Sequence, residues 1–208
     1  MPLTQAQLVT EVRSLLNEAT AAFYTDVQIQ NWLQQGARDL SLKTRCVEAD
    51  ATISVVTSTL NYAVPTDAFV IHSILNAATG IALTKILPPK AGHIVDSASA
   101  AIPLYWWLFN DKIWLTPLAS GSSTLTVLYS KTTETVTDIP DEYRIELINY
   151  ATSRALIRNE QAIEALAVMN MYNNHVQFAR LDVIERGTMS IDELTLPDTK
   201  LRPQAQAG

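Results

Sequence analysis

The side chains best suited to chemistry are few and scattered. Histidine occurs at His72, His93 and His175, and the one cysteine is Cys46. A zinc or catalytic metal site needs three or four convergent ligands, usually with two of them at helical or turn spacing. These histidines fall on a predicted strand, a connector and a helix, with no His-x-x-x-His and no carboxylate pair at ligand spacing. A single cysteine permits neither an internal disulfide nor a thiolate-rich zinc site, and nothing implies an oxidising compartment. His93, Asp96 and a serine would supply a hydrolase triad only if the fold gathered them, and no G-x-S-x-G elbow is present. Pro88 to His93 places a lysine and a glycine after a strand, but it lacks the second glycine and the Lys-Ser/Thr that cradle phosphate and magnesium. Asp141 and Glu142 are adjacent, so on a helix they point about 100° apart and suit the positive end of its dipole better than paired acid/base work. No catalytic, cofactor or metal residue is assigned.

Aromatic residues offer a different chemistry. Trp106, Trp107 and Trp114, with Tyr105, have the composition of a sugar- or base-stacking platform, and equally that of a packing cluster or interface anchor. Strand alternation places Trp106 and Trp107 on opposite faces, one filling the core and the other meeting a helix, loop or subunit.

The elements that must position these side chains follow from caps and periodicity. Thr4 with Gln7, and Thr25 with Gln28, read as capping boxes opening helices over about 4–18 and 25–43. In the second helix, Ile29, Trp32, Leu33, Gly36, Ala37 and Leu40 share one stripe, where Gly36 marks either a close backbone approach or a tolerated glycine. From about 47 to 131 the period falls to two: strands are predicted near Ile53–Val55, Asn61–Val64, Phe69–Ala77, Ile81–Leu87, Leu104–Phe109, Lys112–Thr116 and Thr124–Lys131. Asn110-Asp111 is a two-residue hairpin link, and Thr79-Gly80 another turn. Connections too short for crossover helices imply a mostly antiparallel sheet. Ile139-Pro140-Asp141-Glu142 then opens a helix over about 141–159, followed by the longest amphipathic run, 161–187. Small residues on its stripe predict close packing on the preceding helix or on the first pair.

The expected fold class is therefore α+β: a helical bundle of two N-terminal and two C-terminal helices, a mostly antiparallel β-rich insertion, and an extended tail over 188–208. Residues 1–187 are expected to form one domain. With 208 residues, 48% of them hydrophobic and only 17% charged, the chain can bury a substantial core. A net charge of −6 repels phosphates and argues against a nucleic-acid gripper. The first twenty residues carry Glu11 and Arg13 in an amphipathic pattern, unlike a secretory signal, and the longest apolar run, Ala100 to Phe109, is too short to span a bilayer. In the tail, Ile191, Leu194, Leu196 and Leu201 are apolar grips, and ordering some twenty residues costs on the order of 20 to 40 kcal/mol, which points to docking on a neighbouring subunit or partner.

Several short motifs recur in a recognisable order. Thr25-Asp26 with Ile29, Trp32-Leu33 and Ala37 to Leu40 come first, then Leu60 to Asp67, Pro103 to Trp106, Asn110 to Pro117, and Ile139 to Tyr143. This series, over about Leu3 to Val183, resembles the head-to-tail adaptor proteins of tailed bacteriophages, particularly short-tailed phages. The resemblance implies a helical bundle with a β-rich part and a non-enzymatic role. It implies a homo-oligomeric ring of twelve copies at the head-tail junction of the virion, assembled in the host bacterial cytoplasm. Such a ring would join the portal protein to tail or nozzle proteins and continue the DNA channel without specific DNA binding. Trp106, Trp107 and Trp114, with the tail residues named above, are the candidate interface, an exposed hairpin tryptophan serving lateral or tail contact and the C-terminal helices and tail serving the portal. The competing reading is a soluble carbohydrate- or protein-binding module using the tryptophan-bearing sheet. Deleting Thr188 to Gly208 is expected to reduce assembly yield in size-exclusion chromatography; full assembly by the truncated chain would refute a docking role for the tail.

Overall fold

The computed structural model describes residues 4–18, 23–87 and 102–185. Both capping boxes form as the sequence predicts. Thr4 accepts from the Gln7 amide and Thr25 from the Gln28 amide, each glutamine bonding back to the cap, which satisfies two orphan donors at the start of α1 (Gln5–Leu15) and α2 (Asp26–Thr44). Helix α1 stops at Leu15 rather than near Glu18, because Asn17 takes a left-handed conformation (φ 54°) that cannot continue the turn.

The joint between these helices is held by one buried cation. Arg13, 7% exposed, donates from Nη2 to the Tyr24 carbonyl at 2.7 Å and to Asp26 Oδ1 at 2.6 Å, while Nη1 lies 3.6 Å from Glu18. One guanidinium thus ties the end of α1 to the start of α2.

The β-rich part contains β1 (Glu48–Val55), β2 (Asn61–Ala63), β3 (Ala68–Asn76), β4 (Thr84–Lys85), β5 (Tyr105–Phe109), β6 (Lys112–Thr116) and β7 (Ser123–Lys131). Two sheets result, ordered β1-β7-β3 and β2-β6-β5-β4. Every pairing is antiparallel except the two-residue contact of β4 with β5. The predicted strand over Ile81–Leu87 shrinks to Thr84–Lys85, with a bridge from Ala82 to Leu75. Asn110 and Asp111 both have φ 52°, the backbone twist that tight hairpins require. Alternation along β7 puts Leu125, Val127 and Tyr129 inward. They join Val55, Ile74, Trp106, Ile113 and Leu115 in one hydrophobic cluster fed by both sheets.

The C-terminal helices begin with a tight 3-10 turn, Asp141–Tyr143, after which α3 (Arg144–Arg158) and α4 (Ala162–Glu185) follow. Leu147, Ile148, Ala151 and Ala155 of α3 enter a second cluster with Leu8, Val12, Ile29, Leu33 and Leu40. Both packing alternatives raised by the sequence are realised, since α3 contacts α4 and also α1 and α2. Polar pins fix the bundle: Tyr24 donates to the Ala155 carbonyl at 2.8 Å, Arg144 pairs with Glu11, and Tyr172 on α4 donates to Asp39 on α2 at 2.5 Å. Burial, then the Asp39 carboxylate, push the Tyr172 hydroxyl far above the ordinary tyrosine range, so it serves as a permanent donor.

The helices and sheets are stitched where β7 leaves its sheet. Ser130 donates to the Arg45 carbonyl at 3.2 Å, the Thr133 amide to Ser41 Oγ at 3.2 Å, and Lys131 to Asp138 at 2.9 Å. Burial alone would raise the Asp138 pKa, but the bonds from Lys131 and Thr133 outweigh it and hold the carboxyl below the ordinary aspartate value.

Gly36 owes its place to a side chain, not a neighbouring backbone. A Cβ there would sit 3.1 to 3.3 Å from the Cδ1, Cγ and Cβ atoms of Tyr150 on α3. Gly36→Val is expected to destabilise the protein by about 1 to 3 kcal/mol in urea unfolding, through overpacking against that ring. An unchanged midpoint would show that α2 and α3 need no close approach there.

Candidate assembly surfaces

The side chains that could do chemistry are occupied structurally. His72 Nε2 lies 2.6 Å from Ser130 Oγ, linking β3 to β7. His175 Nδ1 lies 3.5 Å from Glu146 Oε1, between α4 and α3. Burial pushes the Cys46 thiol up to about 11 despite the Thr44 hydrogen bond, so it stays protonated, a poor nucleophile, near neutral pH. Asp141 and Glu142 occupy the 3-10 turn before α3, and no group of three or more His, Cys, Asp or Glu side chains gathers for a metal among the described residues. His93, Asp96 and the Pro88 to His93 segment lie outside the described residues, as do Ile191, Leu194, Leu196 and Leu201.

The tryptophans are brought together, but inward. Trp106 is 1% exposed in the β core. Trp107, on the opposite face, is only 3% exposed, so neither member of the pair is the exposed hairpin tryptophan expected for lateral or tail contact. The reason is register: β5 and β6 pair Trp107 directly with Trp114, and the two rings stack with centroids 6.0 Å apart and planes 18° apart. Trp114 is half-buried, its Nε1 donating to the Phe109 carbonyl at 3.1 Å. A flat aromatic platform for sugars is therefore not presented by Trp106 or Trp107. Among the hydrophobic side chains that this hairpin region does expose are Leu104, Tyr105, Leu108 and Phe109, and the last two line a cavity of about 380 Å³ together with Phe69 of β3.

A larger apolar surface lies on α4. Of the stripe that the periodicity predicts to face inward, Ala165, Tyr172, Val176 and Ala179 are buried, whereas Leu166, also expected on it, lies about 100° round the helix from Ala165 and is 62% exposed. The outer face of the helix carries Ile163, Leu166, Met171, Phe178 and Leu181, each at least half exposed. No Asp, Glu, Lys or Arg occurs from Ala165 to Ala179. An exposed helix normally turns charged residues to water, so an uncharged face bearing large apolar groups marks an interaction surface. The sequence reasoning followed the inner stripe and missed this one. The available signal was a second periodic set, Ile163, Met171, Phe178 and Leu181, spaced eight, seven and three residues apart.

Burial separates the two kinds of site experimentally. Trp107→Ala is expected to cost about 3 to 5 kcal/mol of stability by opening a cavity, whereas Leu166→Asp or Phe178→Asp stays within about 0.5 kcal/mol of the parent in the same denaturation assay. A stable Trp107→Ala chain would return that ring to the list of surface anchors.

Comparison with known families completes the picture. A family model described as SU10 adaptor protein matches residues 3–191, nearly the whole chain and every element described above. A search of curated proteins finds no significant match. On the strength of that match, the chain belongs to the SU10 adaptor protein family, structural proteins of bacteriophage.

Proposed function

We propose that this protein forms a homo-oligomeric ring, of twelve copies as in related adaptors, between the portal protein and the tail or nozzle proteins of a virion. Residues 1–187 act as the ring-forming unit and 188–208 as a docking strap. Its work is done by surfaces, and no catalytic step enters. The observation that carries this reading is the outer face of α4, five large apolar side chains on a helix that carries no Asp, Glu, Lys or Arg from Ala165 to Ala179. Covering what each such side chain still exposes contributes about 1 to 2 kcal/mol, a driving force that the isolated chain leaves unused.

Ring geometry explains why such a face comes with a different partner surface on the same chain. In a cyclic assembly each copy offers one surface to its left and another to its right, and closure satisfies both. The exposed Phe69, Leu108 and Phe109 region supplies a second apolar surface for lateral or tail contact. DNA passes through the channel without specific binding, and the net charge of −6 supports a negative wall. A basic wall would gain affinity by releasing counterions at each phosphate, and sliding DNA would stick. Assembly takes place in the cytoplasm of the host bacterium, and the product resides at the head-tail junction. The carbohydrate-binding alternative loses its main support with the burial of Trp106 and Trp107.

Mixing the purified chain with its cognate portal and imaging the product by electron microscopy tests the proposal. Closed rings on the portal, abolished by combined Leu166→Asp and Phe178→Asp, are the expected result. A persistent monomer, or rings with a strongly basic lumen, would overturn it in whole or in the channel part.

A further inference from the structure

Beside the α4 face lies a groove of about 420 Å³ between the start of α3 and the middle of α4, lined by Glu142, Ile145, Glu146, His175 and Phe178. Its rim is apolar, with Ile145 and Phe178 both more than half exposed. Its base is a carboxylate: Glu146 is only 8% exposed, with Oε1 3.5 Å from His175 Nδ1. Glu146 Oε2 has no hydrogen-bond partner among the described residues. A buried carboxylate oxygen without a partner is costly, and the cost disappears when a cation with N–H donors reaches it. The combination of apolar walls and a carboxylate floor suits an arginine or lysine, whose methylene stem covers the walls while the head group meets the acid.

We propose that the groove receives the Lys200-Leu201-Arg202 run of a second copy of this chain, with the Arg202 guanidinium on Glu146. This deepens the ring reading above and rests on it. Three observations select the occupant. First, Lys200 and Arg202 are the two cations of 188–208, so charge complementarity with an acidic groove points to that run. Second, the residue before a proline favours extended backbone, and residues i and i+2 of an extended segment share a side, so the order Lys200-Leu201-Arg202-Pro203 suits a run that would turn both cations to one acidic wall on docking. Third, fourteen residues separate Glu185, the end of α4, from Lys200, a reach of up to about 50 Å, ample to cross to an adjacent subunit. A donor strap and an acceptor groove on every copy add a further pair of unlike surfaces of the kind that a closed ring satisfies.

The test uses two versions of the full-length chain, each with Cys46→Ser. One carries Met171→Cys, an exposed α4 position one turn before His175, and the other carries Gln204→Cys, two residues beyond Arg202 in the sequence. Mixed and treated with a short bismaleimide, with and without the portal, they can join only between chains. The expected result is a dimeric adduct that falls at least tenfold when the strap carries Lys200→Glu and Arg202→Glu, a change outside the helical and β cores. No adduct, or one indifferent to charge reversal, overturns the proposal. Imaging the same samples separates the two readings: rings without the adduct sink only the strap-and-groove contact, whereas the absence of both removes the ring reading as well.

Discussion

The approach of α2 to α3 at Gly36 is the constraint from which the helical half follows. Because position 36 lacks a side chain, the Tyr150 ring lies against the α2 backbone, and Tyr150 in turn meets Tyr172 edge-on with centroids 5.4 Å apart. Tyr172 is fully buried and bonds to Asp39, so one aromatic seam joins α2, α3 and α4. A bulkier residue at 36 would displace Tyr150, and the displacement would pass to α4. The orientation of α4, and hence the apolar face it turns outward, depends on that seam.

The β-rich part is organised differently. Its two sheets share one cluster centred on Trp106, Ile113, Leu115, Leu125 and Val127, separate from the helical cluster. Hydrogen bonds at Ser130, Thr133 and Lys131 connect the halves, and none of these is a large apolar contact. Two cores joined by polar stitches put the α4 face and the Phe69, Leu108 and Phe109 region on different halves of one chain. For an adaptor this is useful, since unlike neighbours need unlike surfaces. Large apolar side chains exposed at both places are what an isolated globular protein avoids and an assembling one retains.

Much of the fold was legible because its signals are local. Thr4 with Gln7 and Thr25 with Gln28 marked helix starts through bonds three residues apart. Asn110-Asp111 marked the hairpin because few residues tolerate positive φ twice in succession. The α+β class followed from the change of hydrophobic period near residue 47. Boundaries were less legible where the deciding event was a single backbone torsion, as at Asn17, or tertiary competition, as in the shortening of β4.

The surfaces divide along the same line. Sequence alone determined which residues are apolar, the absence of charge from Ala165 to Ala179, the excess of acids, and the motif order that resembles phage adaptors, since composition and local spacing require no knowledge of neighbours. Only the tertiary structure decided which of two apolar stripes on α4 is covered, because coverage depends on where α2 and α3 stand. It likewise decided that Trp107 lies inside, since strand alternation separates two faces without saying what packs on either. That Glu146 Oε2 finds no hydrogen-bond partner among the described residues is also a tertiary fact, produced when a helix start that is polar in sequence is pressed against α4.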